Sequence, residues 1–132
     1  MTVTKKKQPS STSTELTGGA GFTYEDTVVA YYLAALLREE HAAGQSGIVK
    51  TVAVQQAGHG HPMDDLVVEF DDAGIRRRLR LQAKRPLTIS AAASNSDFRE
   101  IMAGAVATRA TADFQIDLDC YGFVAEHVAV AP

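Results

Sequence analysis

The chain has 132 residues, 45% of them hydrophobic and 22% charged, and a net charge of −3. That length suits one domain, and the apolar fraction is that of a packed core rather than a wholly disordered chain. No apolar run approaches the roughly 18 residues of a bilayer span, and the single cysteine, Cys120, excludes an internal disulfide framework and a cysteine-based zinc cluster.

The N-terminal stretch carries no secretory apolar segment, so the expectation is a soluble cytoplasmic protein without a membrane partner. Residues 1–20 read as a disordered tail: Lys5–Lys7, Pro9 and a Ser/Thr run show no apolar period. Gly18, Gly19 and Gly21 form a joint, and no preceding strand or following Gly-Lys-Ser/Thr makes them a phosphate loop. A helix is expected over 24–42, with Thr23 as N-cap and Asp26 at the capping-box spacing. Its apolar face comprises Val28, Val29, Tyr32, Leu33, Leu36 and Leu37, and Gly44 with Gly47 ends it. Strands are expected over 48–56 and 65–70, then a turn over 71–74 and a hairpin partner over 75–85. Pro86 and the small residues of 90–96 read as a connector. A second helix presents Phe98, Ile101, Met102, Ala105 and Val106 as one stripe, and a final strand covers 121–130. The order helix, three strands, helix, strand predicts an α/β fold with a mixed central sheet flanked by helices.

Side-chain alternation locates the chemistry. With Phe70 facing Ile75 across a four-residue turn, Leu66, Val68 and Phe70 share one face with Leu79, Leu81 and Ala83. Asp65, Val67 and Glu69 then share the other face with Arg80, Gln82 and Lys84. A one-residue bulge exchanges Asp65 for Asp64. A carboxylate and an amide oxygen suit Mg²⁺, and a neighbouring lysine can orient a water and stabilise phosphate charge. Between Ile75 and Arg85 there are six basic residues and no acid. They read either as a strip facing an anion or as a solvated strand edge.

The segments Met63-Asp64-Asp65-Leu66-Val67-Val68 and Leu81-Gln82-Ala83-Lys84-Arg85 resemble the PD-(D/E)xK, restriction-endonuclease-like nuclease superfamily, in its variant with Gln before the lysine. Gly19-Ala20-Gly21-Phe22-Thr23-Tyr24-Glu25 and Ser96-Asp97-Phe98 resemble one branch of it. That branch is the double-stranded DNA endonuclease domain at the N-terminus of CD-NTase-associated and Avs-type antiphage effectors. The resemblance covers about 18–130 and implies a nuclease domain over 21–132, the N-terminal part of a longer effector whose sensor domain lies elsewhere. It implies Mg²⁺, replaceable by Mn²⁺, held by Asp65, Gln82 and Glu25. Asp65, Gln82 and Lys84 would be the catalytic set, with Arg80 and Arg85 along the phosphate backbone, assisted by Arg76 and Arg78. Double-stranded DNA is the implied partner, and cutting both strands implies a homo-oligomer. Two departures stand out: no Pro directly precedes an Asp, and the amide at position 82 brings no charge to a metal.

Other constellations are weaker. His59, His61, Asp64 and Asp65 approach a zinc pattern but lack its closing histidine. Cys120 with His127 would be a nucleophile pair, yet Asp117 and Asp119 beside the thiol disfavour a thiolate. The rival class is a non-catalytic nucleic-acid-binding or dimerisation module.

Overall fold

The computed structural model of the chain describes residues 24–54 and 65–131. The expected tail, Thr23, the His59–His61 loop and Asp64 lie outside the described residues. The order is α1 (Tyr24–Arg38), β1 (Ile48–Val54), β2 (Leu66–Asp72), β3 (Ile75–Ile89), α2 (Ser96–Arg109) and β4 (Asp119–Val130). The strands form one sheet in the order β1-β2-β3-β4, with β1, β2 and β3 antiparallel and β4 parallel to β3. The fold is thus α/β, a mixed four-stranded sheet flanked by two helices. Among the described residues no helix is long and apolar enough to cross a membrane.

Helix α1 is shorter than its apolar period suggests because Glu39 turns left-handed (φ 54°). The Glu40 N–H then reaches the Ala35 carbonyl at 3.0 Å and the Glu39 N–H reaches that of Leu36 at 3.3 Å. That is the Schellman termination, built here on a glutamate instead of the usual glycine. Gly47 has a different task from ending the helix. At φ +92°, its Cβ would lie 2.6 Å from the Asp71 carbonyl oxygen, so only glycine lets the chain enter β1 against the end of β2.

Val28, Tyr32 and Ala35 of α1 are buried on the sheet face that carries Val49, Val68, Phe70, Leu79 and Leu81. Each fully buried aliphatic or aromatic side chain there contributes roughly 1.5–3 kcal/mol of transfer free energy. Leu33 and Leu37, expected on this face, point outward and are exposed. Helix α2 covers the opposite face through Ile101 and Ala105, packed with Leu87, Tyr121 and Ala125. Met102 and Val106, expected in that stripe, are exposed. The helix starts at Asn95, whose side chain accepts from the Phe98 N–H and donates to the Thr88 carbonyl.

The hairpin register differs from the expected one by two residues. Asp72 pairs with Ile75 and Leu66 with Leu81, across a two-residue turn of Ala73 (φ 52°) and Gly74 (φ 88°). Two left-handed residues make the primed turn that matches strand twist, and the Asp71 carboxylate accepts from the Gly74 N–H at 2.7 Å. A slip of two leaves every side chain on its expected face.

Strand β3 also runs on through Pro86 to Ile89, where a connector was expected. The Arg78 N–H bonds to Leu118 of the β4 side and the Ile89 carbonyl accepts from Ala131. Both groups therefore turn towards β4 although an odd number of residues separates them, so the alternation slips once in between. The slip carries Leu87 to the α2 side. It also turns the missing N–H of Pro86 away from β4, so the ring breaks no bond of the β3–β4 ladder.

Candidate functional site

Asp65 stands immediately before β2; carried one step beyond Leu66↔Leu81, the register would set it level with Gln82. Among the described residues the β2–β3 pairs end here, at a fork, while β3 continues alongside β4. The Ala83 N–H donates to Asp65 Oδ2 at 2.6 Å. This charge-assisted bond fastens the carboxylate to the Gln82-Ala83-Lys84 segment. Ala83 turns its methyl to the α1 face. Gln82 and Lys84 alternate to the α2 face and are half-buried. The Lys84 ammonium lies 3.8 Å from Asp97 Oδ1 in the first turn of α2. Asp97 belongs to the segment singled out by resemblance, yet the sequence reading assigned it no role.

Glu25 sits half-buried in the first turn of α1, on the helix that covers the opposite face from Gln82 and Lys84. The fold therefore brings Asp65, Gln82 and Lys84 to one fork and leaves Glu25 on the helix across the sheet. Among the described residues, no three His, Cys, Asp or Glu side chains converge where an ion could sit. The donors at the fork, a carboxylate and an amide oxygen, are nonetheless the hard oxygens that Mg²⁺ takes while keeping several waters. The donor chemistry thus fits Mg²⁺ with Asp65 and Gln82 as ligands.

The basic strip of β3 is a different object from the one its sequence suggests, because every one of its charges has a carboxylate nearby. Arg76 Nε lies 2.9 Å from Glu69, Arg77 Nε 2.8 Å from Asp72, and Arg85 Nε 2.6 Å from Glu126. Arg78 reaches both Asp113 and Asp119 at 3.0 Å. Arg80 is 0% exposed; its Nη2 is 3.3 Å from Asp113, its Nη1 donates to Thr111 Oγ1, and its guanidinium lies over the Phe114 ring. Arg80 therefore cannot meet a phosphate at the surface, contrary to the sequence expectation. Arg78 likewise ties the α2–β4 connection to the sheet rather than facing solvent. Arg85 remains exposed in an exposed pair.

The electrostatics follow this pairing. Burial alone would lower the Arg78 pKa, but hydrogen bonds and charge from Asp119 and then Asp113 outweigh it and raise it. Burial likewise opposes ionisation of Asp113, yet Arg78 and the charge of Arg80 hold its carboxyl below the ordinary carboxylate range. The Arg85 hydrogen bond holds Glu126 low as well. The missed signal was the acid-rich segment 113–119, which carries Asp113, Asp117 and Asp119 with no base: it is the counter-charge of β3. Cys120 is exposed, and the rival zinc histidines His59 and His61 lie outside the described residues.

No protein-family model matches the chain, and neither does any curated protein or solved structure.

Proposed function

We propose that the chain is a metal-dependent endonuclease domain of the PD-(D/E)xK type. It would hydrolyse phosphodiester bonds of double-stranded DNA as a cytoplasmic antiphage effector, working as a homo-oligomer beside a sensor domain. The observation that carries the reading is the Asp65 carboxylate bonded at 2.6 Å to Ala83, between Gln82 and Lys84. A carboxylate, an amide oxygen and an ammonium group thus share the fork of one hairpin, within a helix, three-strand, helix, strand order.

Asp65 and Gln82 would hold Mg²⁺ or Mn²⁺, which when bound supplies positive charge to the scissile phosphate and to the water that attacks it. The Asp65–Ala83 bond fixes the carboxylate before any ligand arrives. Lys84, partly shielded beneath α2, offers its ammonium to the attacking water or to the phosphate oxygens. Asp97, 3.8 Å from that ammonium in the first turn of α2, is its carboxylate partner when no phosphate is present. The water oxygen would bond to phosphorus as the bond from phosphorus to one sugar oxygen breaks; the attacking water's proton would pass to solvent and the leaving oxygen would take one up from solvent. Arg85 can exchange Glu126 for a phosphate at little cost, since exposed pairs contribute about 0–1 kcal/mol.

The test is plasmid digestion by wild type and by Lys84→Ala, each with Mg²⁺, with Mn²⁺ and with EDTA. Cleavage that needs the metal and falls by about 10²-fold or more in the variant is expected. Equal digestion by both proteins refutes the lysine's role. No digestion by wild type with either metal, with DNA still bound, moves the protein to the non-catalytic class. The apolar outer face of α1 favours that second reading, as a dimerisation module.

A further inference from the structure

From Thr27 to Leu37, α1 carries no charged residue. A helix at a protein surface is ordinarily polar on its outer side, and one that is apolar all round is covered all round. Its inner side is accounted for by Val28, Tyr32 and Ala35 against the sheet. Its outer side has no such partner among the described residues. Thr27, Ala30, Ala34 and Leu37 are exposed and recur at alternating steps of three and four, the spacing of a helix–helix seam. Leu37 is 84% exposed, and Tyr31 and Leu33 flank the seam at 55% and 41%.

The seam is also its own reverse. Counting outward from Tyr32, Ala30 answers Ala34, Tyr31 answers Leu33, and Thr27 answers Leu37. Further out, Asp26 answers Arg38. Every exposed residue of α1 has its counterpart in this reversal, and every counterpart is exposed. A two-fold interface requires such a surface, because one patch must complement itself.

We propose that the outer face of α1 is a homodimer interface in which two copies of the helix pack antiparallel about the level of Tyr32. Ala30 meets Ala34 of the second copy at the centre, where two methyl groups let the helices approach closely. Leu37 covers Thr27 of the second copy at each end. The acidic first turn, Glu25 and Asp26, lies level with Arg38 and the C-terminal end of the other helix, which suits both the charges and the helix dipoles. Arg38 has Glu40 at 3.0 Å in the single chain, an exposed pair that yields readily. The Tyr31 hydroxyl accepts from the Ala43 N–H at 3.1 Å, so the seam's edge is rigid beforehand. One four-turn helix per copy is a small contact, so the dimer forms only at elevated concentration. The surface lies on α1, across the sheet from Gln82 and Lys84, so it would serve the homo-oligomer of the nuclease reading and a non-catalytic dimerisation module alike.

Sedimentation velocity of the full chain over a wide concentration range tests it. The mass is expected to rise from 14.1 kDa towards twice that value. Ala34→Glu, which sets like charges near the centre, is expected to raise the dissociation constant at least about tenfold with an unchanged far-ultraviolet circular dichroism spectrum. Leu37→Glu, which sets a carboxylate against the acidic first turn of the second copy, is the second variant with the same expectation. In a Cys120→Ser background, oxidising a mixture of Ala30→Cys and Ala34→Cys chains is expected to cross-link them faster than either chain alone. A monomer at every concentration, or a dimer whose midpoint both Ala34→Glu and Leu37→Glu leave in place, overturns the proposal.

Discussion

Replacing Asp119 by alanine tests whether the arginines of β3 are internal structure or surface equipment. The Asp119 side chain is 2% exposed and accepts from Arg78 Nε at 3.2 Å, Arg78 Nη2 at 3.0 Å and the Gln115 N–H at 3.0 Å. Arg80 Nη2 lies 3.7 Å away. Without this carboxylate, a fully buried guanidinium and a mostly buried one keep, among the described residues, Asp113 as their carboxylate, and it is 53% exposed. Breaking a buried charge pair from one side costs about 3–5 kcal/mol, against a total domain stability of about 5–15 kcal/mol. With a urea slope near 2 kcal/mol/M, the unfolding midpoint followed by circular dichroism falls by about 1.5–2.5 M. The difference persists at high salt, because buried pairs are poorly screened. Asp113→Ala costs far less, about 1 kcal/mol, since water replaces that carboxylate. An Asp119→Ala midpoint within the error of wild type would refute this account and return the basic strip to the solvent.

Three further outcomes follow from local geometry. Burial, with a smaller push from the Tyr31 ring neighbour, raises the Tyr32 pKa from 10.0 to about 12. The folded state thus holds the phenol proton more tightly: this stabilisation is full below pH 10, is lost between pH 10 and 12, and amounts to roughly 2–3 kcal/mol. Tyr32→Phe flattens the decline in urea-derived stability over that window, and an unaltered slope refutes the assignment. Gly47→Ala, whose Cβ would press on the Asp71 backbone at a positive φ, lowers stability by at least about 2 kcal/mol in the same assay. Ala73→Asn relieves the left-handed strain of the hairpin turn and raises stability by about 0.5–1 kcal/mol; a loss instead would mean the turn is not of the primed type.

What the sequence discloses and what it conceals divide along sequence distance. Element order is local, and periodicity and turn residues display it. The faces of β2 and β3 are legible for a related reason, since the two-residue error in register conserves alternation. Ala73 caused that error: an alanine in a left-handed turn carries none of the signal a glycine or asparagine would. The helix end at Glu39 was hidden in the same way. The role of the β3 arginines was illegible because most of the acids that neutralise them are far along the chain. Asp113 comes from the α2–β4 connection and Asp119 and Glu126 from β4, and only the parallel pairing of β4 with β3 brings them alongside.

That same pairing links the framework to the fork. Arg78 and Arg80 secure the segment between α2 and β4, and β4 aligns Tyr121 and Ala125 beneath α2 beside Arg80 and Lys84. The N-terminus of α2 is set independently by Asn95 on the Thr88 carbonyl of β3. With both ends of α2 tied to β3, Asp97 is held above Lys84, and the ammonium group is directed along the α2 face instead of wandering in solvent. Loosening either anchor lets Asp97 move away from Lys84 while the Asp65–Ala83 bond, made within the hairpin itself, stays intact. The fork therefore depends on two separable supports. One is local to the hairpin and fixes the carboxylate; the other passes through the buried arginines and Asn95 and fixes the lysine.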